Sequence, residues 1–282
     1  MKFPKYFSFW QKAGMHGLRL TAWLVLAFLM IPILVIIPLS FNAEPYFTFT
    51  EGMLTFDPDA YSLKWYAEIF NDDKWLLAIK NSFFIGLCAT ILATFLGTFA
   101  AIGLSNPVMP FQRVIMAMLL SPMIVPLIIT AAGMYFFYTQ LGLSGSYLGV
   151  IIAHAALGTP FVIITVNASL SGFDYSLMRA SLGLGAPPVY TFFKIIMPLI
   201  RPGVISGALF AFVTSFDEVV VILFLAGPEQ RTIPRQMFSG LREQINPTIL
   251  AVAVLLVVIS GLLLLTIEYL RARSERIRSG EV

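Results

Sequence analysis

Residues 171–203 read SGFDYSLMRASLGLGAPPVYTFFKIIMPLIRPG. They lie between two long apolar stretches, yet the segment is neither short nor of disordered composition. Residues 174–182 predict a short helix that Gly183 and Gly185 can terminate, and Pro187 and Pro188 suit the first turn of the next. On that second helix Val189, Phe192, Phe193 and Ile196 fall on one side at spacings of three and four. Pro198 and Pro202–Gly203 are expected to break it before the following apolar stretch. The product is a helix–turn–helix with small residues, Ala180, Gly185 and Ala186, at its elbow. Such a shape is fitted to press into a groove on a partner. It equally suits an amphipathic hairpin lying at a membrane interface with no partner.

The surrounding chain decides where such a hairpin sits. Of 282 residues, 58% are hydrophobic and only 12% charged, with a mean hydropathy of +0.85. A soluble domain cannot hide that much apolar surface, so the chain reads as a polytopic membrane protein. A span needs roughly 20 apolar residues, and six stretches qualify: 18–41, 77–104, 113–138, 147–170, 203–226 and 248–270. Turn chemistry separates them, as in SNPVMPF, LGLSGS and AGPEQRTIP. The first stretch is too long for a signal-peptide core and is read as an uncleaved span.

Lys2, Lys5, Lys12 and Arg19 flank the first span, and Arg271, Arg273, Arg276 and Arg278 follow the last. By the positive-inside bias both ends are cytoplasmic, which requires an even number of spans. The acid-rich 42–76 loop fits the outside, while 171–203, with Arg179, Lys194 and Arg201, fits the inside. The loop with Arg231, Arg235 and Arg242 is the one discordant vote.

Several chemistries are excluded or left without support. The single Cys88 forms no internal disulfide, and the two histidines, His16 and His154, show no metal-ligand spacing. His154 reads more readily as a helix-packing histidine than as a ligand. None of the seven lysines follows a glycine, so the chain carries no phosphate-binding loop of its own. The small net charge of +3 and the terminal placement of the bases speak to topology and not to nucleic acid.

The most unusual apolar stretch is TSFDEVVVILF at 214–224, where Asp217 and Glu218 stand side by side. A charge at the bilayer centre costs at least ~3 kcal/mol on insertion scales. On a continuous helix Thr214 lies one turn before both acids and Ser215 one turn before Glu218, which gives a polar strip facing a hydrated path. Three readings stand: structural pairing inside the bundle, a cation-attracting site along a pathway, or a proton relay. In the 42–76 loop, Trp65 and Ile69 sit at i,i+4 of a short amphipathic helix. Trp65 is either an interfacial belt residue or a pathway aromatic.

The 171–203 segment resembles the cytoplasmic EAA loop of type I ABC-importer permeases. Arg179-Ala180-Ser181 stand at the Glu-Ala-Ala positions, Gly185 at the family's glycine, and Met197-Pro198 at its Leu-Pro pair. YSLKWYAEIFND and SFDEVVVILFLAGPEQRTIPRQMFSGLREQINPTILAVA extend the likeness over nearly the whole chain. They are similar to the spermidine/putrescine branch of the binding-protein-dependent transport system inner membrane component family.

The resemblance implies an all-α permease fold with six spans, forming one transmembrane domain over 1–282 and placed in the bacterial inner membrane. It implies a coupling helix, Arg179 to Ala186, that docks on an ATPase subunit. The partners it implies are two ATP-binding subunits, a second permease chain and a periplasmic substrate-binding protein. ATP and magnesium belong to the ATPase, with no cofactor in this chain and no enzymatic activity of its own. It makes Asp217, Glu218, Ser215, Thr214 and Trp65 candidate path residues for a polyamine.

Two positions depart from the family pattern. Arg179 reverses the charge of its acid, and Met123 stands where polyamine permeases often carry an acid after Ser-Pro. The second departure leaves another cationic or zwitterionic amine, such as an opine or amino-acid derivative, open as cargo. A stand-alone proton-coupled carrier is the rival from another class.

Overall fold

The computed structural model describes residues 8–106, 108–172, 174–243 and 246–279; Lys2 and Lys5 fall outside them. The elements, in order, are α1 (Phe9–Leu39), α2 (Glu51–Leu54), α3 (Lys64–Asn71), α4 (Asp73–Leu104), α5 (Gln112–Ile124) and α6 (Leu127–Gln140). They continue with α7 (Tyr147–Leu170), α8 (Tyr175–Gly183), α9 (Pro188–Thr191), α10 (Met197–Phe216), α11 (Val220–Leu225), α12 (Ile233–Glu243) and α13 (Thr248–Ser279). The chain divides into two compact units, 1–72 with 240–282, and 73–239.

Among the described residues, four helices are long and apolar enough to cross a bilayer: Phe9–Leu39, Asp73–Leu104, Tyr147–Leu170 and the run Pro188–Phe216. The expected third span, 113–138, is instead the pair α5 and α6, bent by 104°. The bend has a covalent cause. Pro126 supplies no N–H, so Val125 leaves the helix with φ −71°, ψ 135° and α6 starts afresh behind the proline. The sixth stretch is apolar as a helix over Thr248–Leu262 among the described residues, shorter than a full span.

The expected fifth span, 203–226, is also redrawn at both ends. It begins at Pro188, because neither Pro198 nor Pro202 breaks the helix as expected. A π-helical turn at Phe192–Ile196, closed by Met197 N–H on Phe192 O, precedes Pro198. Its wider turn gives the ring room and absorbs the lost hydrogen bond. At the other end the helix stops at Phe216, short of both acids.

In the first unit, α1 buries only Leu39; α1 and α3 both pack on α13. Glu68 accepts from the Thr248 hydroxyl at 2.8 Å and from Asn246 Nδ2 at 3.2 Å, which anchors α3 to the start of α13. The 41–62 connection is tightly built. Asn42 donates to Tyr46 O and Thr48 O, Ser62 N–H reaches Phe41 O at 2.7 Å, and Tyr61 Oη reaches Met53 O at 3.1 Å. Thr50 caps α2, and the turn after it carries Phe56 at φ +58°, a left-handed conformation costing about 1–2 kcal/mol for a side chain of that size.

In the second unit, α4, α7 and α10 form the central triad. Small residues let the backbones approach, as they do in bilayers, where lipid offers helices no hydrophobic reason to associate. A methyl group placed on Gly207 of α10 would stand 2.7 Å from Val162 Cα and 2.5 Å from Thr165 Oγ1 of α7. One apolar core gathers Ala89, Ala93, Val162, Val166 and Ala211; a second joins α6 and α11 through Ala131, Tyr138, Val221 and Ile222.

Candidate functional site

The acids sit in a gap between helices, not on a helix. Asp217 is the C-cap of α10, its N–H bonded to Val213 O at 3.0 Å, and Val219 precedes the short α11. The polar strip expected on a continuous helix therefore does not form, and the two neighbours are split by environment. Glu218 is buried, and its Oε1 accepts the Val221 N–H at 2.8 Å, capping the first turn of α11. Asp217 is exposed, and no hydrogen bond or ion pair holds its carboxylate among the described residues.

Asp217 also stands at the carbonyl end of a 20-residue helix. The unsatisfied carbonyls and the helix dipole there favour a positive charge, as the carboxylate itself does. Phe216, immediately before it, packs edge-on to Phe83 of α4 at 5.3 Å and stacks with Phe212 at 5.5 Å. Rings of this kind offer faces to a cation. A carboxylate, a helix C-terminus and phenylalanine rings together suit an amine, not an anion.

The remaining predicted path residues divide. Ser215 is buried one turn below the gap, with its hydroxyl 2.7 Å from His154 Nδ1 of α7. That contact fixes the last turn of α10 against α7. Thr214 is half-buried on the same turn. Trp65 lies in the other unit, buried, with its indole N–H on Asn42 O at 2.6 Å and the Lys64 ammonium 4.4 Å from its ring centroid. Its polar handle and its ring face are both engaged within that unit.

Met123 is in the last turn of α5, just before the 104° bend, and is exposed. The second half of the bent pair, α6, packs on α11, the short helix beyond the acids. Sequence reasoning missed a second polar feature, the hydroxyls of Thr90, Thr94 and Thr98 on α4. They are buried without a hydrogen-bond partner among the described residues. Their spacing of four, which places them along one helix face, was the available signal.

The 171–203 segment folds close to its reading. Asp174 caps α8, and Ser176, which bonds its carboxylate (N–H to Oδ1 2.8 Å), holds that carboxyl below its ordinary range. Gly185 follows the helix at φ +82° with open space around it. Ser181 is buried, its hydroxyl 2.9 Å from the Thr191 hydroxyl, which pins α8 to α9. Arg179 and Ala180 are exposed and Ala186 half-buried, so the elbow presents them outward; Pro198 lies beyond the π turn, exposed. The apolar side expected at 189–196 divides: Val189 and Phe193 point outward, while Phe192 stacks on Phe99 at 5.9 Å.

The model of the family described as binding-protein-dependent transport system inner membrane component matches residues 93–276. The chain belongs to that family. It is therefore a multi-pass permease of the cytoplasmic membrane, a transport subunit. The permease is 32% identical over 266 residues to the putrescine transport system permease protein PotI of Escherichia coli K12, covering 90% of each chain. It is also 32% identical to the spermidine/putrescine transport system permease protein PotC of Haemophilus influenzae, covering 84% of this chain and 89% of that one. Among solved structures, a bacterial ABC transporter involved in the import of the acidic polysaccharide alginate superposes with a TM-score of 0.72. The match covers 94% of this chain and 99% of that one at 16% identity, and so speaks to the fold alone.

Proposed function

We propose that this permease forms half of the translocation path of an ATP-driven importer whose cargo is a polyamine of the putrescine or spermidine class. The observation that carries the reading is Asp217: an exposed carboxylate, unpaired among the described residues, at the carbonyl end of α10 in the gap before α11. Interrupted helices with free termini are a recurrent way to place ligand-binding groups inside a membrane. The aliphatic linkers of a polyamine suit the phenylalanine walls, and its ammonium groups suit the carboxylate. The names carried by the relatives point the same way.

The 171–203 segment is the coupling element, facing the cytoplasm with both termini. Its elbow, Arg179 to Ala186, docks on one of two ATP-binding subunits, which hold ATP and magnesium; Pro198 lies just past the π turn on the helix that carries the movement into the membrane. A second permease, of different sequence, completes the path, and a periplasmic substrate-binding protein delivers cargo. Trp65, with its indole N–H on Asn42 O, is the external loop's candidate path aromatic. Met123, in place of an acid, leaves the path fewer carboxylates, which favours a zwitterionic amine as the second reading.

The test is a substrate panel. The complete transporter, in proteoliposomes with its binding protein, is assayed for uptake of labelled putrescine, spermidine and an opine. Uptake of the polyamines and not the opine is expected. Opine uptake with polyamines excluded would overturn the cargo assignment.

A further inference from the structure

Helix α4 carries a row of polar atoms to which the Asp217 site gives no role. Among the described residues, buried side-chain polar atoms without a hydrogen-bond partner include the hydroxyls of Thr90, Thr94 and Thr98 and His154 Nε2 of α7. These groups come together in one place. A methyl group on Gly158 of α7 would stand 3.5 Å from Ala93 Cβ of α4, and one on Gly97 of α4 would stand 2.6 Å from Val162 Cβ of α7. The two helices therefore run parallel along this seam, and His154 comes level with the Ala89–Thr90 turn. Each threonine stands one residue beyond a seam position: Ala89, Ala93 or Gly97.

A threonine in an apolar helix ordinarily places its hydroxyl on the carbonyl one turn back. Thr21, Thr139, Thr159 and Thr165 of this chain do so, at 2.7–3.0 Å. The three on α4 do not, although Gly86, Thr90 and Thr94 stand one turn back. A buried polar group left unpaired is disfavoured, and three on one face weigh together against this closed seam. The row also leads somewhere. Phe83, whose ring packs on Phe216 beside Asp217, precedes Thr90 by two helical turns and shares its face. From Phe83 to Thr98 that face runs about 22 Å along α4.

We propose that Thr90, Thr94 and Thr98 line the cargo path in a second conformer, in which α4 and α7 part and the hydroxyls are uncovered. This rests on the reading of Asp217 as a path residue and extends that path along α4. Each hydroxyl then accepts a hydrogen bond from an ammonium group of the polyamine moving on from Asp217. Water offers the same kind of donor, and the two are told apart by whether uptake depends on the hydroxyls.

Thr90→Val with Thr94→Val removes two hydroxyls and keeps the side-chain shape. In the complete transporter in proteoliposomes, initial-rate putrescine uptake falls about tenfold or more. The unfolding temperature holds or rises, because the closed seam no longer buries those unpaired groups. Thr90→Ser with Thr94→Ser keeps the hydroxyls and retains most of the uptake. Opening is read separately: Thr94→Cys, in a Cys88→Ala background, reacts with a small thiol reagent faster during ATP turnover than without ATP, followed on the α4 peptide by mass spectrometry. Faster labelling in turnover with wild-type uptake by the valine variant means that water alone wets the face, and overturns the cargo contact. A lowered unfolding temperature of the valine variant also overturns it, since the hydroxyls would then be paired inside the fold. Labelling that ATP does not change overturns the opening. Asp217→Asn is assayed beside these. Uptake lost there but kept in the valine variant removes only the extension along α4, whereas uptake unchanged by Asp217→Asn removes the path reading and the extension with it.

Discussion

Replacing Asp217 with Asn and Glu218 with Gln, one at a time, should give very different transporters although the residues are adjacent. On the proposed reading Asp217 offers its charge to the path, and among the described residues nothing holds its carboxylate. A hydrogen bond to a charged partner contributes ~1.5–3 kcal/mol net, so Asp217→Asn should lower kcat/KM for putrescine by roughly 10- to 150-fold. Its thermal stability should match wild type. Glu218 gives one oxygen to Val221 N–H, and Gln retains that acceptor, so Glu218→Gln should change uptake by less than about tenfold, within ~1 kcal/mol. Glu218→Ala removes the cap and should cost about 1–2 kcal/mol of stability. The assay is initial-rate uptake of labelled putrescine in proteoliposomes, with thermal unfolding of the same preparations. Equal losses from Asp217→Asn and Glu218→Gln, or unchanged uptake in the former, would refute the division of roles.

Gly207→Ala drives a methyl group to 2.7 Å from Val162 Cα and should destabilise the α7–α10 contact by roughly 1–3 kcal/mol, read as a lower unfolding temperature in detergent. Gly185→Val places a β-branched residue at φ +82° and should cost about 1–2 kcal/mol locally. ATPase co-purification and stimulation should fall while permease folding persists; normal ATPase association would argue against the coupling role. Asn81→Ala deletes the two bonds that hold Glu229 O and Arg231 O at 2.7 and 2.8 Å. It should speed amide exchange in the 226–233 loop and leave the α4–α7 contact protected.

The sequence made the membrane class and the elbow of 171–203 readable because both rest on local rules. Mean composition reports the solvent, and Gly185 with Pro187–Pro188 stops one helix and starts another. Pro198 misled because a π turn, a property of the folded helix, absorbs its missing N–H. Pro126 marks a break by its missing N–H, but the size of the bend depends on how α6 packs on α11, which no local rule reports. The acids were visible as chemistry, not as geometry. Nothing local says that α10 stops at Phe216, so their neighbourhood read as one strip when it is a cap and a free carboxylate. Likewise Ser215 could not be assigned to His154, 61 residues away, from spacing alone.

The most direct test is the energy source for polyamine uptake. In proteoliposomes holding this permease, its partner permease, the ATPase and the binding protein, putrescine uptake should require internal ATP. It should persist when an uncoupler collapses the proton gradient. Uptake that continues without ATP and vanishes with the proton gradient would contradict the ABC importer and favour a proton-coupled carrier.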